Sequence, residues 1–489
     1  MNGFGQTVSE EVPNTDGEWI ATHYRYNEKG QKVQRQTGNL APILYSYDVM
    51  GVLEKEIVKL DGEPTPLNSR ITEWTSSYEK REDGIYWKEV TKAYSSTGTP
   101  IETAQLKLET LLHPLLEEKT ITVDARGSET VEWTEYGEPG QRIRKIKKPE
   151  SDIIEECILS DGILAHFKDC TGIVSHYTCH FNESGKRVTR TDARNNTVTV
   201  EQDISGRTVK EIDAVGNTTI TAYDIATGLP AVVTDALGHT VCYSYDGRGR
   251  KIGEYGTGIQ PALYAYDDAD NLVSLTTFRA LKETIDSDPA DRMDGDTTVW
   301  HYDTATGLLL SKTYADGTSE NYSYDALNRL EYSIDARSIT AQRTYAFLTG
   351  ELVSIIFDDE TTTKTPSITY AYNHLGMVVS ITDGSGMRTF DYNQYNELES
   401  ETTDGLVGST LTNSFDALGR AGGYSLAYGG ENVQTVTTAY DTKGRMGSAG
   451  MNSIEMPFTY GYNAINGLLE TLRSVSYTHL RAHETRRHL

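Results

Sequence analysis

The stretch YSYDGRGR, residues 243–250, decides the fold of this chain, because near copies of it return along almost the whole sequence. The other clear copies are YSYDALNRL from Tyr322, AYDTKGR from Ala439, SFDALGR from Ser414 and YSYDVMGVL from Tyr45. A motif that returns at a fixed period indicates a repeat architecture, in which one supersecondary unit is copied along the chain and packs against its neighbours.

The spacing of the copies is regular. The motif's Asp or Asn falls at Asn182, Asp203, Asp224, Asp246 and Asp267, in steps of 21, 21, 22 and 21 residues. Later copies lie at Asp303, Asp325, Asn373, Asn393, Asp416, Asp441 and Asn463, and the early pair Asn27 and Asp48 is again 21 residues apart. A degenerate copy, TYAFLTGEL at 344–352, falls in the gap of 48 residues between Asp325 and Asn373.

Each copy reads as a β-hairpin. The residues before the Asp are rich in β-branched and aromatic side chains, which favour strands. In Tyr-x-Tyr pairs such as Tyr243 and Tyr245, both rings lie on one face of the strand. We therefore expect rings of successive copies to pair across strands, at about 0.2–1 kcal/mol per pair. The Asp then starts a turn and the Gly supplies a positive φ, so a second strand follows.

The predicted structural signature is the aromatic residue, the Asp or Asn, and the glycine of each copy. Its members are Tyr26, Asn27, Gly30, Tyr47, Asp48, Gly51, Tyr223, Asp224, Gly228, Tyr245, Asp246, Gly249, Tyr266, Asp267, Tyr302, Asp303, Gly307, Tyr324, Asp325, Tyr372, Asn373, Gly376, Phe415, Asp416, Gly419, Tyr440, Asp441, Gly444, Tyr462, Asn463 and Gly467. Asn271, Asn328 and Asn396 stand near the glycine's place in three copies, and Asn also tolerates the left-handed region.

This pattern resembles the YD repeats of bacterial RHS proteins, of the C component of bacterial Tc insecticidal toxins, and of eukaryotic teneurins. The resemblance covers roughly residues 20–57 and 176–473. It implies an all-β fold in which a repetitive ribbon of β-hairpins coils into part of a hollow β-shell. In bacterial members of the family the shell often encloses a C-terminal toxic domain.

The register divides the chain into four regions. Residues 1–57 are YD repeats, 58–175 are degenerate repeats or a small inserted β module, 176–473 form the YD-repeat ribbon with an acidic loop at 278–298, and 474–489 are a tail. Within 58–175 we expect short strands and a helix near Ala104 to Glu118. The tail, SVSYTHLRAHETRRHL, resembles the peptide that sequencing-adapter remnants encode at the ends of metagenomic genes, and we predict that it is not native protein.

Composition limits the partners. The formal net charge of −26 argues against nucleic-acid binding, which needs a basic face. The N-terminus MNGFGQTVSE lacks the features of a signal peptide, and no apolar stretch is long enough to span a bilayer. The chain reads as a fragment, so the missing signal peptide says little about the intact protein. The resemblance implies that the intact protein is secreted or on the cell surface.

The sequence gives no motif for catalysis or for a cofactor. It contains no GxSxG elbow, no HExxH and no P-loop, so we expect no enzyme activity. A zinc site could be drawn from Cys170, Cys179, His176 and His180, but their spacing is not that of a zinc finger, and we expect no metal site. The family's DPxGL-like cleavage segment is absent, since Asp288–Pro289 is followed by Ala290.

The resemblance therefore implies a structural role. We expect a shell fragment of an RHS polymorphic toxin that encloses or presents a C-terminal toxic domain lying outside this chain. The implied partners are that toxic domain and the remaining shell repeats, and also a secretion apparatus or cell-surface glycans. The alternative is a cell-surface adhesion or carbohydrate-binding protein that uses Trp74, Trp87 and Trp133, for which core packing is the other explanation.

Overall fold

The computed structural model of the chain describes residues 1–109, 116–149, 151–279, 295–359, 364–405, 408–429, 431–452, 458–463, 468–474 and 478–481. These residues form forty β-strands. The first fourteen strands are β1 (Ser9–Pro13), β2 (Trp19–Tyr26), β3 (Lys32–Thr37), β4 (Ile43–Tyr47), β5 (Leu53–Lys59), β6 (Ser69–Arg81), β7 (Gly84–Tyr94), β8 (Pro100–Leu108), β9 (Leu116–Val123), β10 (Glu129–Tyr136), β11 (Gln141–Lys147), β12 (Ile154–Ser160), β13 (Ile163–Lys168) and β14 (Val174–Asn182). The next fourteen are β15 (Gly185–Thr191), β16 (Thr197–Asp203), β17 (Thr208–Ile212), β18 (Thr218–Tyr223), β19 (Pro230–Thr234), β20 (Thr240–Tyr245), β21 (Lys251–Gly256), β22 (Ala262–Tyr266), β23 (Leu272–Thr277), β24 (Asp296–Tyr302), β25 (Leu309–Thr313), β26 (Ser319–Tyr324), β27 (Leu330–Ile334) and β28 (Thr340–Tyr345). The last twelve are β29 (Leu352–Asp358), β30 (Ile368–Tyr372), β31 (Val378–Asp383), β32 (Gly386–Tyr392), β33 (Leu398–Gly405), β34 (Ser409–Phe415), β35 (Ala421–Tyr428), β36 (Glu431–Tyr440), β37 (Met446–Met451), β38 (Phe458–Tyr462), β39 (Leu469–Ser474) and β40 (Thr478–Arg481).

The strands form one continuous antiparallel ribbon. Each strand pairs with the strand that precedes it and with the strand that follows it, as β20 does with β19 and β21. All forty belong to a single sheet, and the residues described contain no helix. The predicted all-β fold built from repeated hairpins is confirmed.

The helix predicted near Ala104 to Glu118 is wrong. Residues 104–108 lie in β8 and residues 116–118 in β9, and these strands pair with Leu106 opposite Ile121. Residues 110–115 lie outside the described part of the chain. The alternating burial of β8 explains the outcome, because Leu106 and Leu108 point into a small core while Gln105 and Lys107 point to the other face.

The ribbon is a wall one sheet thick. Among the described residues, the extensive contacts between strands are all made by neighbours in the chain, and no second layer of strands packs on a face. The accessible surface is 30154 Å², whereas a compact protein of 54.3 kDa exposes about 18,000 Å². Buried apolar residues are accordingly few, and the largest cluster contains Tyr86, Leu106, Leu108 and Ile121.

Residues 58–175 continue the same sheet. Strands β6 and β7 are longer than their neighbours, at 13 and 11 residues, and β7 carries Tyr86 of the largest apolar cluster. The assignment of this region to degenerate repeats or to an inserted module stays a prediction, and so does the non-native origin of the tail. In the tail, Thr478–Arg481 pairs with β39, and residues 482–489 lie outside the described part of the chain.

The turns fall on two edges of the ribbon, because successive strands run in opposite directions. We call the turns that follow even-numbered strands the YD edge, since all copies of the motif lie there; the turn of Asp246 after β20 is one of them. We call the turns that follow odd-numbered strands the opposite edge, to which the turn of Asp235 after β19 belongs.

Candidate functional site: the turn ladder and the seam

The turn of Asp246 shows how each copy of the motif folds. The Asp246 carbonyl accepts a hydrogen bond from the Gly249 amide at 2.9 Å, and the Asp246 amide donates to the Arg250 carbonyl at 3.0 Å. The Asp246 carboxylate accepts from the backbone amides of Arg248 and Arg250 at 2.9 and 3.0 Å. Gly249 has a φ of +80°, which closes the turn at a conformation that disfavours other residues.

Most copies repeat this arrangement. The side chains of the following residues accept from backbone amides two to four residues further along: Asn27, Asp203, Asp224, Asp267, Asp303, Asp325, Asn373, Asn393, Asp416 and Asp441. Asp48 bonds the Val52 amide in the same way. The motif's Asp or Asn is therefore the residue that satisfies the turn's backbone donors.

The left-handed position is filled mainly by the predicted glycines. Positive φ values occur at Gly30, Gly51, Gly228, Gly249, Gly307, Gly376, Gly419 and Gly444, whereas Gly467 lies outside the described residues. Asn328 and Asn396 take this position in their copies, with φ of 61° and 62°. In the turn of Asp267 the residue with positive φ is Asp270, at 67°, and the expectation for Asn271 is wrong. Asn271 lies one residue later and bonds the Asp267 carboxylate instead.

In most copies the motif tyrosine ties its repeat to the repeat before it. The Tyr245 hydroxyl donates at 2.8 Å to the carbonyl of Pro230, the first residue of β19. The Tyr266 hydroxyl donates at 3.0 Å to the carbonyl of Lys251, the first residue of β21. The same bond to the first residue of the preceding odd-numbered strand is made by Tyr47, Tyr223, Tyr324, Tyr345, Tyr372, Tyr392, Tyr440 and Tyr462.

An arginine four residues after the motif's Asp strengthens this link. The Arg250 Nε lies 2.7 Å from the Asp246 carboxylate, and its guanidinium lies 4.9 Å from the centre of the Tyr266 ring in the next repeat. The same three-residue unit is built by Asp203, Arg207 and Tyr223; by Asp325, Arg329 and Tyr345; by Asp416, Arg420 and Tyr440; and by Asp441, Arg445 and Tyr462. We call this series of units the turn ladder.

The turn ladder replaces the predicted stacking of aromatic rings. Among the described residues, the ring pairs in contact are Tyr78 with Trp87 and His166 with His176, and tyrosines of successive copies do not stack on one another. The arginine was present in the quoted motifs, at position 250 and at the equivalent place of four other copies. Its constant distance of four residues from the Asp was the sequence signal for this role.

The electrostatics of the turns fit their structural role. Hydrogen bonds from the Arg250 backbone amide and, to a smaller extent, from the Arg250 guanidinium hold the pKa of Asp246 below its usual value. Burial raises the pKa of Tyr245. Burial and hydrogen bonds to Glu254 and Glu320, respectively, raise the pKa of Tyr264 and Tyr322 to about 12. At neutral pH the carboxylates therefore accept and the phenols donate, as the geometry requires.

A second set of contacts joins parts of the chain that lie 271 to 315 residues apart. Arg70 pairs with Glu351, and its Nε donates to the His374 carbonyl at 3.1 Å. Asn328 Nδ2 donates to the Pro13 carbonyl at 3.0 Å. These contacts, which we call the seam, bring the opposite edge of the early strands against the YD edge of the late strands.

The seam continues along the ribbon. Arg126 pairs with Glu397 at 2.5 Å, and its guanidinium lies 4.1 Å from the centre of the Tyr395 ring. Further on, Lys443 Nζ donates to the Thr171 carbonyl at 2.8 Å. The ribbon therefore coils, so that the YD edge of a later circuit docks on the opposite edge of an earlier one.

The length of one circuit follows from the strands that meet. The turn after β1 meets the turn after β26, through Asn328. The turn between β5 and β6 meets the turn after β30, through Arg70 at the start of β6 and His374. The turn after β7 meets the turn after β32, through Ser96 and Asn396. The numbers of the strands that precede the paired turns differ by 25 in these three contacts and by 23 for Arg126 with Glu397 and for Thr171 with Lys443, so one circuit contains 23 to 25 strands.

A cavity of about 580 Å³ lies on the seam, between Asp124 and Lys148 on one side and Arg420 and Lys443 on the other. Its charged groups already have partners: Arg420 bonds Asp416, Lys443 bonds the Thr171 carbonyl, and Lys148 pairs with Glu155. The cavity is therefore part of the packing between circuits and offers no free charged group to a ligand.

The residues considered for zinc do not converge. His176 and His180 lie on one face of β14 and Cys179 lies on the other, as alternation requires, while Cys170 lies in the turn before this strand. All four cysteines are free thiols. Within the described ranges no group of three or more His, Cys, Asp or Glu side chains could hold a metal ion, and no helix is long and apolar enough to cross a membrane.

Most of the predicted acidic loop 278–298 lies outside the described residues, which stop at 279 and resume at 295. Its first residue, Phe278, is buried against Leu263, and Arg279 pairs with Asp296 at its base. The predicted loop therefore leaves the opposite edge between β23 and β24.

No family model and no curated protein matches this chain. Solved structures that resemble it include a TcdB2-TccC3-TEV crystal structure, at 14% identity and a TM-score of 0.32, covering 96% of this chain and 30% of that one. A Photorhabdus luminescens Tc holotoxin pore structure with a TccC3 mutation has 12% identity and a TM-score of 0.35, covering 94% and 29%. A TcdB2-TccC3 crystal structure has 11% identity and a TM-score of 0.28, covering 96% and 35%.

This chain thus spans about a third of the length of the chains it resembles. At these low identities and TM-scores the likeness carries no argument about function.

Proposed function

We propose that this chain is a wall segment of a bacterial RHS polymorphic toxin, in which the coiled ribbon encloses or presents a toxic domain encoded elsewhere in the intact protein. The seam carries this proposal. A ribbon that docks edge to edge on itself after 23 to 25 strands surrounds a space, and a wall one sheet thick leaves that space unfilled by its own side chains.

The proposed role is structural and involves no catalysis by this chain. The tyrosine bonds between repeats and the five units of the turn ladder link neighbouring repeats along the ribbon, so the wall is stabilised locally. The net charge of −26 keeps such a large thin wall soluble, and it would attract a basic domain inside more than an acidic one.

The proposed partners follow from the two kinds of edge. The remaining repeats of the shell would continue the ribbon, the toxic domain would occupy the enclosed space, and a secretion apparatus would carry the intact protein to its place outside the cell or on its surface. Nucleic acid is not among the proposed partners, because the chain has a formal net charge of −26.

The test of this function is the intact gene. Source DNA should be amplified and sequenced through and beyond the codon for Ser474. YD repeats that continue to a DPxGL-like segment followed by an unrelated domain would support the toxin shell. A reading frame that runs into a wall anchor or a membrane helix would refute it, and coding sequence for the last sixteen residues would refute the adapter origin of the tail.

One observation favours a second function, adhesion to glycans. Tyr78 is exposed and its ring lies 5.0 Å from that of Trp87, edge to face, on two long neighbouring strands. Aromatic surfaces of this kind bind sugars through their apolar faces. Binding on a glycan array that is lost in Trp87→Ala and retained in Trp19→Ala, an exposed tryptophan on β2, would support this role; no binding by the parent chain would exclude it.

A further inference from the structure

Two histidines face each other on neighbouring strands. His166 on β13 is the register partner of His176 on β14, and the centres of their rings lie 5.3 Å apart. His176 is exposed and His166 is half-buried. The zinc site considered from the sequence grouped His176 with residues of its own strand and of the turn before it, whereas the structure pairs it with the preceding strand. Strand pairing thus creates a two-histidine group that spacing along the chain did not show.

The separation of the two rings fits a shared metal ion. With zinc–nitrogen bonds of about 2.0–2.1 Å and a tetrahedral angle, two imidazoles bound to one ion have ring centres about 5.2 Å apart. The observed separation is 5.3 Å, and the rings meet edge to face with their planes inclined at 72°. One ring therefore has to turn about its Cβ–Cγ bond to aim a nitrogen at the ion. Because this torsion is broad in histidine and His176 is exposed, the turn needs no change in the backbone.

The surroundings of the pair leave the other coordination positions to water. The register partners on either side of the pair are Ile158 and Thr191, neither of which carries a charge. Lys168 lies two residues along the same face of β13, opposite Glu156 of β12, so the nearby charges are balanced. Within the part of the chain that the structure describes, no third His, Cys, Asp or Glu side chain completes a metal-binding group with the pair.

The pair lies where two consecutive hairpins share a short ladder. β13 and β14 have three register pairs, whereas β14 and β15 have seven. The two histidines form the pair farthest from the turn that joins β13 to β14. The same place is the predicted boundary between region 58–175 and the YD-repeat ribbon that begins at residue 176. A metal ion held by both imidazoles would cross-link the two strands at this boundary.

We propose that His166 and His176 together bind one divalent transition-metal ion of the zinc type, which joins β13 to β14. Neutral imidazole is a good ligand for Zn²⁺, Cu²⁺ and Ni²⁺, whereas Mg²⁺ and Ca²⁺ prefer oxygen ligands. With two protein ligands and water the site binds its ion more weakly than a closed four-ligand zinc site does. Its role is therefore to reinforce a wall that already folds without it.

The experiment is amide hydrogen exchange of the full chain with and without Zn²⁺, followed in the peptides that cover β13 and β14. Calorimetry on the same samples gives Kd. Zinc that binds the closed pair and not the opened one should slow exchange about tenfold when its free concentration is ten times Kd. His166→Gln and His176→Gln should each abolish this slowing. The matched control is His180→Gln, which changes an exposed histidine on the same face of β14 and should keep the slowing.

Two further samples give the chemical class of the ion. Mg²⁺ at the same concentration should leave exchange unchanged, and EDTA should reverse the effect of zinc. An equal effect of Mg²⁺ and Zn²⁺ would contradict binding through imidazole.

Three results would overturn the proposal. One is a parent chain whose exchange does not respond to zinc. Another is zinc held by the free thiols Cys157, Cys170 or Cys179, which would slow exchange equally in the parent and in both histidine variants. The third is a pair that serves only as ring packing, for which the substitutions would raise exchange without zinc and leave the response to zinc unchanged. None of these results bears on the toxin-shell proposal, which is tested by the intact gene.

Discussion

Removing one hydroxyl tests the tyrosine bond between repeats directly. In Tyr245→Phe the ring stays in place, but the 2.8 Å hydrogen bond to the Pro230 carbonyl is lost. Because the site is half-buried, the Pro230 carbonyl then lacks its hydrogen-bond donor. A neutral hydrogen bond of this kind contributes about 0.5–1.5 kcal/mol net, and an unsatisfied acceptor places the expected loss near 1 kcal/mol.

The same strand supplies the control. Tyr243 lies two residues earlier on the same face of β20 and is also half-buried, yet its hydroxyl has no hydrogen-bond partner among the described residues. Its ring contact with the Lys251 ammonium, at 5.8 Å, does not need the hydroxyl. Tyr243→Phe should therefore change stability by less than about 0.5 kcal/mol.

The assay is amide hydrogen exchange of the peptides that cover β19 to β21, because a repeat array can open locally without unfolding globally. A loss near 1 kcal/mol raises the exchange rate in these peptides about fivefold in Tyr245→Phe. Distant peptides such as those of β34 and β35 serve as the internal reference. Equal effects of the two substitutions, or a larger effect of Tyr243→Phe, would refute the role assigned to the motif tyrosine.

Three other predictions follow from the turns. Arg250→Gln should raise exchange on both sides of the Asp246 turn more than Tyr245→Phe does, since it removes a carboxylate pair and a ring contact together. Gly249→Ala should cost about 1–2 kcal/mol because of the φ of +80°, whereas Gly247→Ala, in open space without positive φ, should cost little, as urea unfolding would show. Alkaline pH should unfold the ribbon, because the pKa of Tyr264 and of Tyr322 is raised in the folded state. The stabilisation from these phenols is therefore complete below about pH 10 and is lost as the pH rises through about 12. Spectroscopic titration of the phenols alongside circular dichroism should show ionisation and unfolding together.

The part of the fold that sequence could predict is the part decided by local chemistry. A hairpin is determined within about ten residues by three local features. These are an Asp that accepts hydrogen bonds from the amides of its own turn, a Gly or Asn about three residues later, and strands with alternating side chains on either side. The turn of Asp267 shows where prediction from local sequence stops. Two neighbouring residues, Asp270 and Asn271, both tolerate positive φ, and in the structure Asp270 adopts it. The Asp270 carboxylate in this conformation lies next to the Arg248 guanidinium.

The seam could not be predicted, because its partners are set by the curvature of the whole ribbon. Arg70 and His374 are 304 residues apart, and whether they meet depends on the small twist that each of the 23 to 25 strands of a circuit adds. The helix error near Ala104 has a related cause. Good helix formers surround Leu106, but pairing with β7 and β9 buries that side chain completely, and tertiary packing overrides local propensity.

The copy that lacks the tyrosine shows which part of the motif the fold requires. In SFDALGR the aromatic residue is Phe415, which has no hydroxyl for the carbonyl of Leu398, the first residue of β33. Asn413, two residues earlier and on the same face of β34, donates its side-chain amide to that carbonyl at 3.1 Å. The acceptor is thus satisfied even where the donor has changed, so the required element is the bond between repeats and not the ring. This also explains why the chain contains 31 Tyr and only 9 Phe: at most copies of the motif, one residue has to fill the strand face and supply that donor.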